Sequence, residues 1–217
     1  MINAKRRTEP PASLVSGTYA GDDVLQALHQ DFLGKCYLCE VKVSLRDIAV
    51  DHRRPKADPR FAALACAWTN LFPICRICNE RRPKKFPEGG LLDPTAEDED
   101  VEARLLQTMR PSDTTGDEIP FFAAVDEGDR SAGNTARELD HIHNARGSIK
   151  AADLRRAIAE RLDEVLTLKL ERERSGVVRG PVLRACEDGL REAFSRRAPF
   201  TALIRGRLGA GLEHLFD

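Results

Sequence analysis

The chain reads as an α+β protein, with a small module closed by four cysteines followed by an α-helical C-terminal region. Three observations predict this. Two C-x-x-C pairs, Cys36/Cys39 and Cys75/Cys78, lie at either end of a short segment. Inside that segment "VKVSLRDIAVDH" alternates apolar and polar residues and is rich in β-branched ones, which is strand patterning. From Ile149 onward, apolar residues recur at i, i+3/i+4 with charges between them, which is helical patterning.

Taken in order, residues 1–20 lack an apolar stretch of signal-peptide type, carry Pro10 and Pro11, and predict a flexible tail. Residues 21–93 form the cysteine module. Its first element, "GDDVLQALHQDFLGK", spaces Val24, Leu25, Leu28 and Phe32 as a helix, opened by an acidic cap and closed by Gly34. "VKVSLRDIAVDH" predicts a strand pair with Asp51-His52 at or near a strand end. "FAALACAWTNLF" predicts a short helix and then loop, and "CRICNERRPKKF" one or two helical turns stopped by Pro83. Residues 94–147 are acidic and rich in Gly and Pro, and predict a loop-rich connector. Residues 148–217 predict a first helix through Val165 and Leu166, ended by Gly176 and Gly180-Pro181, and then two more helices divided by Pro199.

At 217 residues, 41% hydrophobic and 32% charged, the composition is that of a soluble globular chain. No run approaches the ~18 apolar residues of a membrane span, so no membrane partner is expected and the cytoplasm is the expected compartment. The net charge of -1 conceals segregation. Residues 35–90 hold 12 Lys/Arg against 6 Asp/Glu, and residues 91–140 hold 4 against 14. The cysteine module is therefore basic, which suggests an anionic partner such as nucleic acid, with a solvated charged face as the alternative. The acidic stretch around Glu97 to Glu102 suggests a shield over that basic surface.

Two C-x-x-C pairs bring four thiolates toward one point, the usual tetrahedral set for structural zinc. Two disulfides or a redox couple are the alternatives. A redox couple needs one pair in a βαβ setting, which this segment lacks. Cys66 and Cys186 have no partner at ligand spacing and read as buried thiols. His141-x-His143 is a weak metal candidate, because i, i+2 positions of a helix face different sides. Four sulfurs fill a zinc shell, so chemistry must come from other residues. Asp51 offers a carboxylate suited to a hard cation. His52 offers an imidazole able to take a proton from water near neutral pH. Asn79 offers a second oxygen ligand, and Asn70 offers hydrogen bonds that would hold the His52 loop. Singly, each also reads as a satisfied polar, turn or capping residue.

The ordered pattern "VDHRRPK…WTNLFPICRICN" resembles the HNH endonucleases with a ββα-metal fold and zinc knuckles, over residues 35–93. With "GKCYLCE", "KKFP" and "LLDP" it resembles more narrowly the PtuB nuclease family of Septu anti-phage systems and its retron-associated relatives. The helical tail matches that family more loosely. The resemblance implies a ββα-metal module with a four-cysteine zinc site. His52 and Asn70 would be catalytic, with His52 as general base and Asn70 orienting its loop. Asp51 and Asn79 would hold catalytic Mg²⁺ or Mn²⁺, with asparagine where many members have histidine. Cys36, Cys39, Cys75 and Cys78 would hold Zn²⁺. It further implies phosphodiester hydrolysis leaving a 5′-phosphate, DNA rather than RNA as substrate, and an ABC/SMC-like ATPase partner. Arg53, Arg54, Lys56, Arg76, Arg81, Arg82, Lys84 and Lys85 are the cations placed to contact phosphates. The alternative function is a zinc-stabilised nucleic-acid-binding or scaffolding module without catalysis.

Overall fold

The structure is a computed structural model that describes residues 1–113, 116–175 and 180–217. Helix α1 (Asp22–Asp31) buries Val24, Ala27 and Leu28. It stops where Leu33 and Gly34 turn into the left-handed region and the Gly34 amide donates back to His29 O. Strand β1 (Ala49–His52) pairs antiparallel with β2 (Leu71–Ile74), in register from Ala49↔Ile74 to His52↔Leu71. Helix α2 (Arg76–Arg81) follows at once, with Cys75 as its N-cap. The order is therefore strand, long loop, strand, helix.

Half of the expected strand pair needs correction. "VKVS" forms no strand; Lys42 makes one isolated bridge to Lys35, and a turn over 45–47 separates it from β1. The true partner of β1 is "LFPI". This segment is loop in the sequence-based expectation, yet it is a completely buried strand. The loop between the strands carries two 3₁₀ turns, Pro59–Leu64 and Trp68–Asn70.

The region expected to be a loop-rich connector holds regular structure. Helix α3 (Val101–Arg104) leads into β3 (Leu105–Pro111), which pairs with β4 (Glu118–Ala124), and α4 spans Arg130–Asn144. The C-terminal helices are α5 (Ile149–Ser175), α6 (Pro181–Phe194) and α7 (Thr201–Leu208). Gly176, expected with Gly180-Pro181 to end the long helix, lies outside the described residues; Pro181 is the first residue of α6. The β3–β4 pair lies between α4 and α7, and a Cβ on Gly206 would meet Gln107 O, so that crossing requires glycine.

One hydrophobic core joins the cysteine module to the helices, from Leu28, Phe72 and Ile74 through Leu139 and Ile158 to Phe194 and Ile204. Residues 1–7, expected to be flexible, are woven into it. Met1 and Ile2 are buried, and Ala4 N donates to Pro94 O. Arg6 donates to Trp68 O and Leu71 O, both at 2.8 Å, while its guanidinium lies 4.6 Å from the Phe72 ring centroid and 4.7 Å from that of Trp68. The tail docks because Arg6 satisfies two carbonyls and covers two aromatic rings, a tertiary gain that local composition does not reveal.

Candidate metal centre and adjoining imidazole

The four cysteines converge. Cys36, Cys39, Cys75 and Cys78 are all buried, and their sulfurs all lie within 4.8 Å of one another. Cys39 Sγ and Cys75 Sγ are 3.7 Å apart, too far for a disulfide. A tetrahedron with Zn–S of about 2.3 Å has edges of about 3.8 Å. The donor set therefore fits zinc in number, chemistry and spacing. Each knuckle is built by local backbone. Glu40 N donates to Cys36 O with Glu40 in the left-handed region (φ 60), and Cys78 N donates to Cys75 Sγ. The crowded sulfurs share negative charge unequally. Bonds from Cys36, Cys39 and Cys78 hold the Cys75 thiol well below its ordinary range. Bonds from Cys36 and Cys75, with burial, push Cys39 up, and bonds from Cys36, Cys39 and Cys75, with burial, push Cys78 up.

Beside this centre lies a buried polar cluster. Lys35 Nζ and the Met1 amine both pair with Glu40, at 3.1 and 2.7 Å. Burial would raise the Glu40 carboxyl, but the two cations outweigh it and hold it at about 2. These contacts secure the strained backbone at Glu40. Cys66 is half-buried and Cys186 is buried, and neither joins the cluster of four.

His52 ends β1 and points into the loop between the strands. Its Nε2 lies 2.9 Å from Ala65 O. A carbonyl only accepts, so Nε2 carries the proton and Nδ1 is left with its lone pair. Among the described residues Nδ1 has no hydrogen-bond partner. The Tyr19 ring packs edge-on against the imidazole at 4.7 Å. Burial lowers the His52 pKa below its ordinary 6.5, and the bond to Ala65 O opposes that only in part. The ring is neutral at physiological pH.

Asn70 fastens this loop. Its Oδ1 accepts from Arg54 N at 2.8 Å, and its Nδ2 donates to Arg54 O at 3.0 Å and Leu64 O at 3.2 Å. One buried amide thus ties both ends of the 54–64 segment, and Ala65 O sits next to the bond at Leu64.

The Asp51–Asn79 pair is different. Tyr37 Oη donates to Asp51 Oδ2 at 2.6 Å, and Arg82 Nη1 pairs with the same oxygen. Asp51 Oδ1 is not among the buried atoms that lack a partner. Asn79 is exposed on α2, and no contact brings its side chain to Asp51 or His52 among the described residues. Asp51 and His52 are adjacent at the strand end, and Asn79 lies on α2 three residues before Arg82, whose side chain reaches Asp51.

The eight cations divide. Arg82 was expected to contact phosphate, yet its side chain is only 6% exposed. It bridges Asp51 and Glu138 and donates to His52 O. Arg53 donates to Leu91 O and pairs with Asp93 at 3.0 Å. Arg81 donates to His141 O, Ile142 O and Ser148 Oγ, which closes the last turn of α4. All three are engaged with protein acceptors, fully or partly buried for Arg82 and Arg53 and partly exposed for Arg81. Arg76 pairs with Glu80 on the α2 surface. Lys56 sits on Tyr19, with Nζ 4.0 Å from the ring centroid. Arg54, Lys84 and Lys85 are exposed without an acidic partner among the described residues. Residues that sequence reasoning missed are Tyr37, Glu138 and Tyr19, which carry no spacing signal because they reach the site from distant elements.

The His141/His143 pair does not form a metal site. His143 is buried, donates from Nδ1 to Leu139 O and stacks on Phe122. His141 is exposed. Within the acidic stretch Glu102 pairs with Arg196 and Arg205, Glu99 with Arg104, and Asp100 caps α3.

No protein-family model, curated protein or solved structure matches this chain. None of the described helices is long and apolar enough to cross a membrane.

Proposed function

We propose that this chain is a zinc-stabilised phosphodiester hydrolase acting on nucleic acid, of HNH type, with His52 as its general base. The observation that carries this reading is the His52 tautomer. Nε2 donates to Ala65 O, and Nδ1 keeps its lone pair with no hydrogen-bond partner among the described residues. A neutral imidazole held this way accepts a proton from water as the oxygen attacks phosphorus. The phosphorus–oxygen bond to the 3′ side then breaks, and the departing oxygen takes up a proton. A positioned base of this kind contributes typically ~10²–10⁴-fold. Asn70 acts indirectly, by fixing the loop whose carbonyl sets the tautomer.

A hard divalent cation, Mg²⁺ or Mn²⁺, would be held by Asp51 Oδ1 and the Asn79 amide oxygen. When bound it would neutralise charge on the phosphate. Exposed Arg54, Lys56, Lys84 and Lys85 would position the backbone. An ABC/SMC-like ATPase partner and a role in anti-phage defence belong to this proposal through the PtuB resemblance alone.

One observation favours a second reading, a zinc-stabilised binding module without catalysis. Arg82 already neutralises Asp51, which weakens that carboxylate as a cation ligand. Incubation with Mg²⁺ or Mn²⁺ and plasmid, single-stranded DNA or RNA separates the two. Cleavage by the wild type, abolished in His52→Ala, supports the hydrolase. Equal inactivity of both proteins, with salt-sensitive binding retained, supports the binding module.

A further inference from the structure

Phe61 and Phe86 are unusual among the aromatic residues. Their rings meet edge-to-face with centroids 5.2 Å apart. Neither ring belongs to the hydrophobic core or packs against it. Phe61 lies on the 3₁₀ turn Pro59–Leu64, which buries no residue at all. Both rings are partly buried, against each other and not in the core, so core packing does not explain the pair.

The surroundings are cationic. The Arg60 guanidinium lies 5.0 Å from the Phe61 centroid and that of Arg54 5.9 Å from it. Asp58 neutralises Arg60. Arg54, together with Lys84 and Lys85 just before Phe86, is exposed and carries no acidic partner among the described residues. The pair is also tied to the imidazole site. Arg54 is two residues past His52, both of its backbone groups are held by Asn70, and Ala65 is four residues past Phe61. Two aromatic rings set edge-to-face, with the Arg54 and Arg60 guanidiniums over Phe61 and the exposed Lys84 and Lys85 beside Phe86, lie on or next to the loop that holds the base. Rings and cations together match a strand that presents both phosphates and exposed base faces. A duplex offers the phosphates but hides the faces of its bases.

We propose that Phe61 and Phe86 form a stacking platform for unpaired nucleobases, and that the substrate of the His52 site is single-stranded or locally melted. The proposal rests on the hydrolase reading for its placement, and it is tested by binding, without cleavage. Zinc-loaded full-length protein, with other divalent cations omitted, is titrated by fluorescence anisotropy. The probes are labelled single-stranded DNA, single-stranded RNA, an abasic strand of equal length and a duplex. Wild type is expected to bind a base-bearing single strand about tenfold or more tighter than the abasic strand. Phe61→Leu and Phe86→Leu keep apolar bulk but lose the flat ring. They are expected to lose that difference while holding the abasic strand as before. A gain confined to DNA or to RNA supports the platform and assigns the sugar. Equal binding of abasic and base-bearing strands by wild type overturns it, as does tighter binding of the duplex. Equal weakening of all strands by the Leu variants also overturns it and makes the ring pair a loop clip. Base-dependent binding without any cleavage would sink the hydrolase reading and leave the platform standing. Cleavage without base dependence would do the reverse.

Discussion

Arg82 bridges Asp51 and Glu138, joining the end of β1 to the middle of α4 through one buried guanidinium. Its Nη1 also donates to His52 O at 2.8 Å and its Nη2 to Arg53 O. Four acceptors on two segments therefore converge on a planar fork. Burial works against the charged guanidinium, but the surrounding anions raise its pKa above the usual range. Burial, helped by the nearby Asp51 charge, pushes Glu138 upward against the pull of Arg82.

Removing that fork strands two carboxylates away from water. Arg82→Met is expected to destabilise the fold by about 3–5 kcal/mol, the usual loss when one partner of a buried ion pair is removed. Arg82→Lys recovers little, since an ammonium cannot span the same acceptors. Urea denaturation of the three proteins measures both effects.

The six thiols sort by environment, and a metal assay reads the sorting. One zinc per chain is expected by elemental analysis. In the loaded protein only half-buried Cys66 is expected to react quickly with an aromatic disulfide reagent. A strong chelator is expected to release four more thiols and to lower the unfolding temperature, because structural zinc binding is folding free energy. Cys186 is expected to react only on denaturation.

Asn70→Asp keeps the shape of the side chain and reverses one end of it. The Nδ2 donor to Arg54 O and Leu64 O becomes a carboxylate oxygen facing two carbonyls. Each buried group left unpaired costs about 1–3 kcal/mol. The substitution is expected to destabilise by that order and to free the loop that holds His52. The ring-proton chemical shifts of His52 then move toward those of a solvent-averaged imidazole, which NMR detects.

His143 makes stability depend on acid. Burial lowers its pKa to about 4 from an ordinary 6.5, with the bond to Leu139 O opposing. The unfolded chain therefore binds this proton at higher pH than the folded one. The contribution is complete above 6.5 and is lost as pH falls toward 4, amounting to about 3 kcal/mol. His143→Leu is expected to flatten the acid limb of the stability profile. Zinc loss at low pH affects both proteins alike, so the difference between their denaturation midpoints isolates the histidine.

The parts legible in the sequence are those whose signal is local. The Cys36/Cys39 and Cys75/Cys78 spacings, the Asp51-His52 step at a strand end and the α5 periodicity all arise within a few residues. Asn70 is readable as a loop-fixing amide because it falls between two ordered elements. The illegible parts are set by distant partners. β2 is hidden because Pro73 argues against a strand, and it is tolerated at the paired position opposite Val50. β3 and β4 are hidden in an acidic stretch, where only one face of each strand is buried. Arg81, Arg82 and Lys84 look alike as a basic run. Only the arrival of α4 makes the first two internal and leaves the third in water.

The insertion of Arg6 between Trp68 O and Leu71 O has a practical consequence for dissecting the protein. A minimal cysteine-module fragment cut at residue 21 would lose the plug that seals the floor beneath Trp68 and Phe72. One cut at residue 93 would lose the Glu138 counterion as well. Amputation at either end therefore acts on the His52 loop at a distance, and an inert fragment would say nothing about the competence of the intact chain.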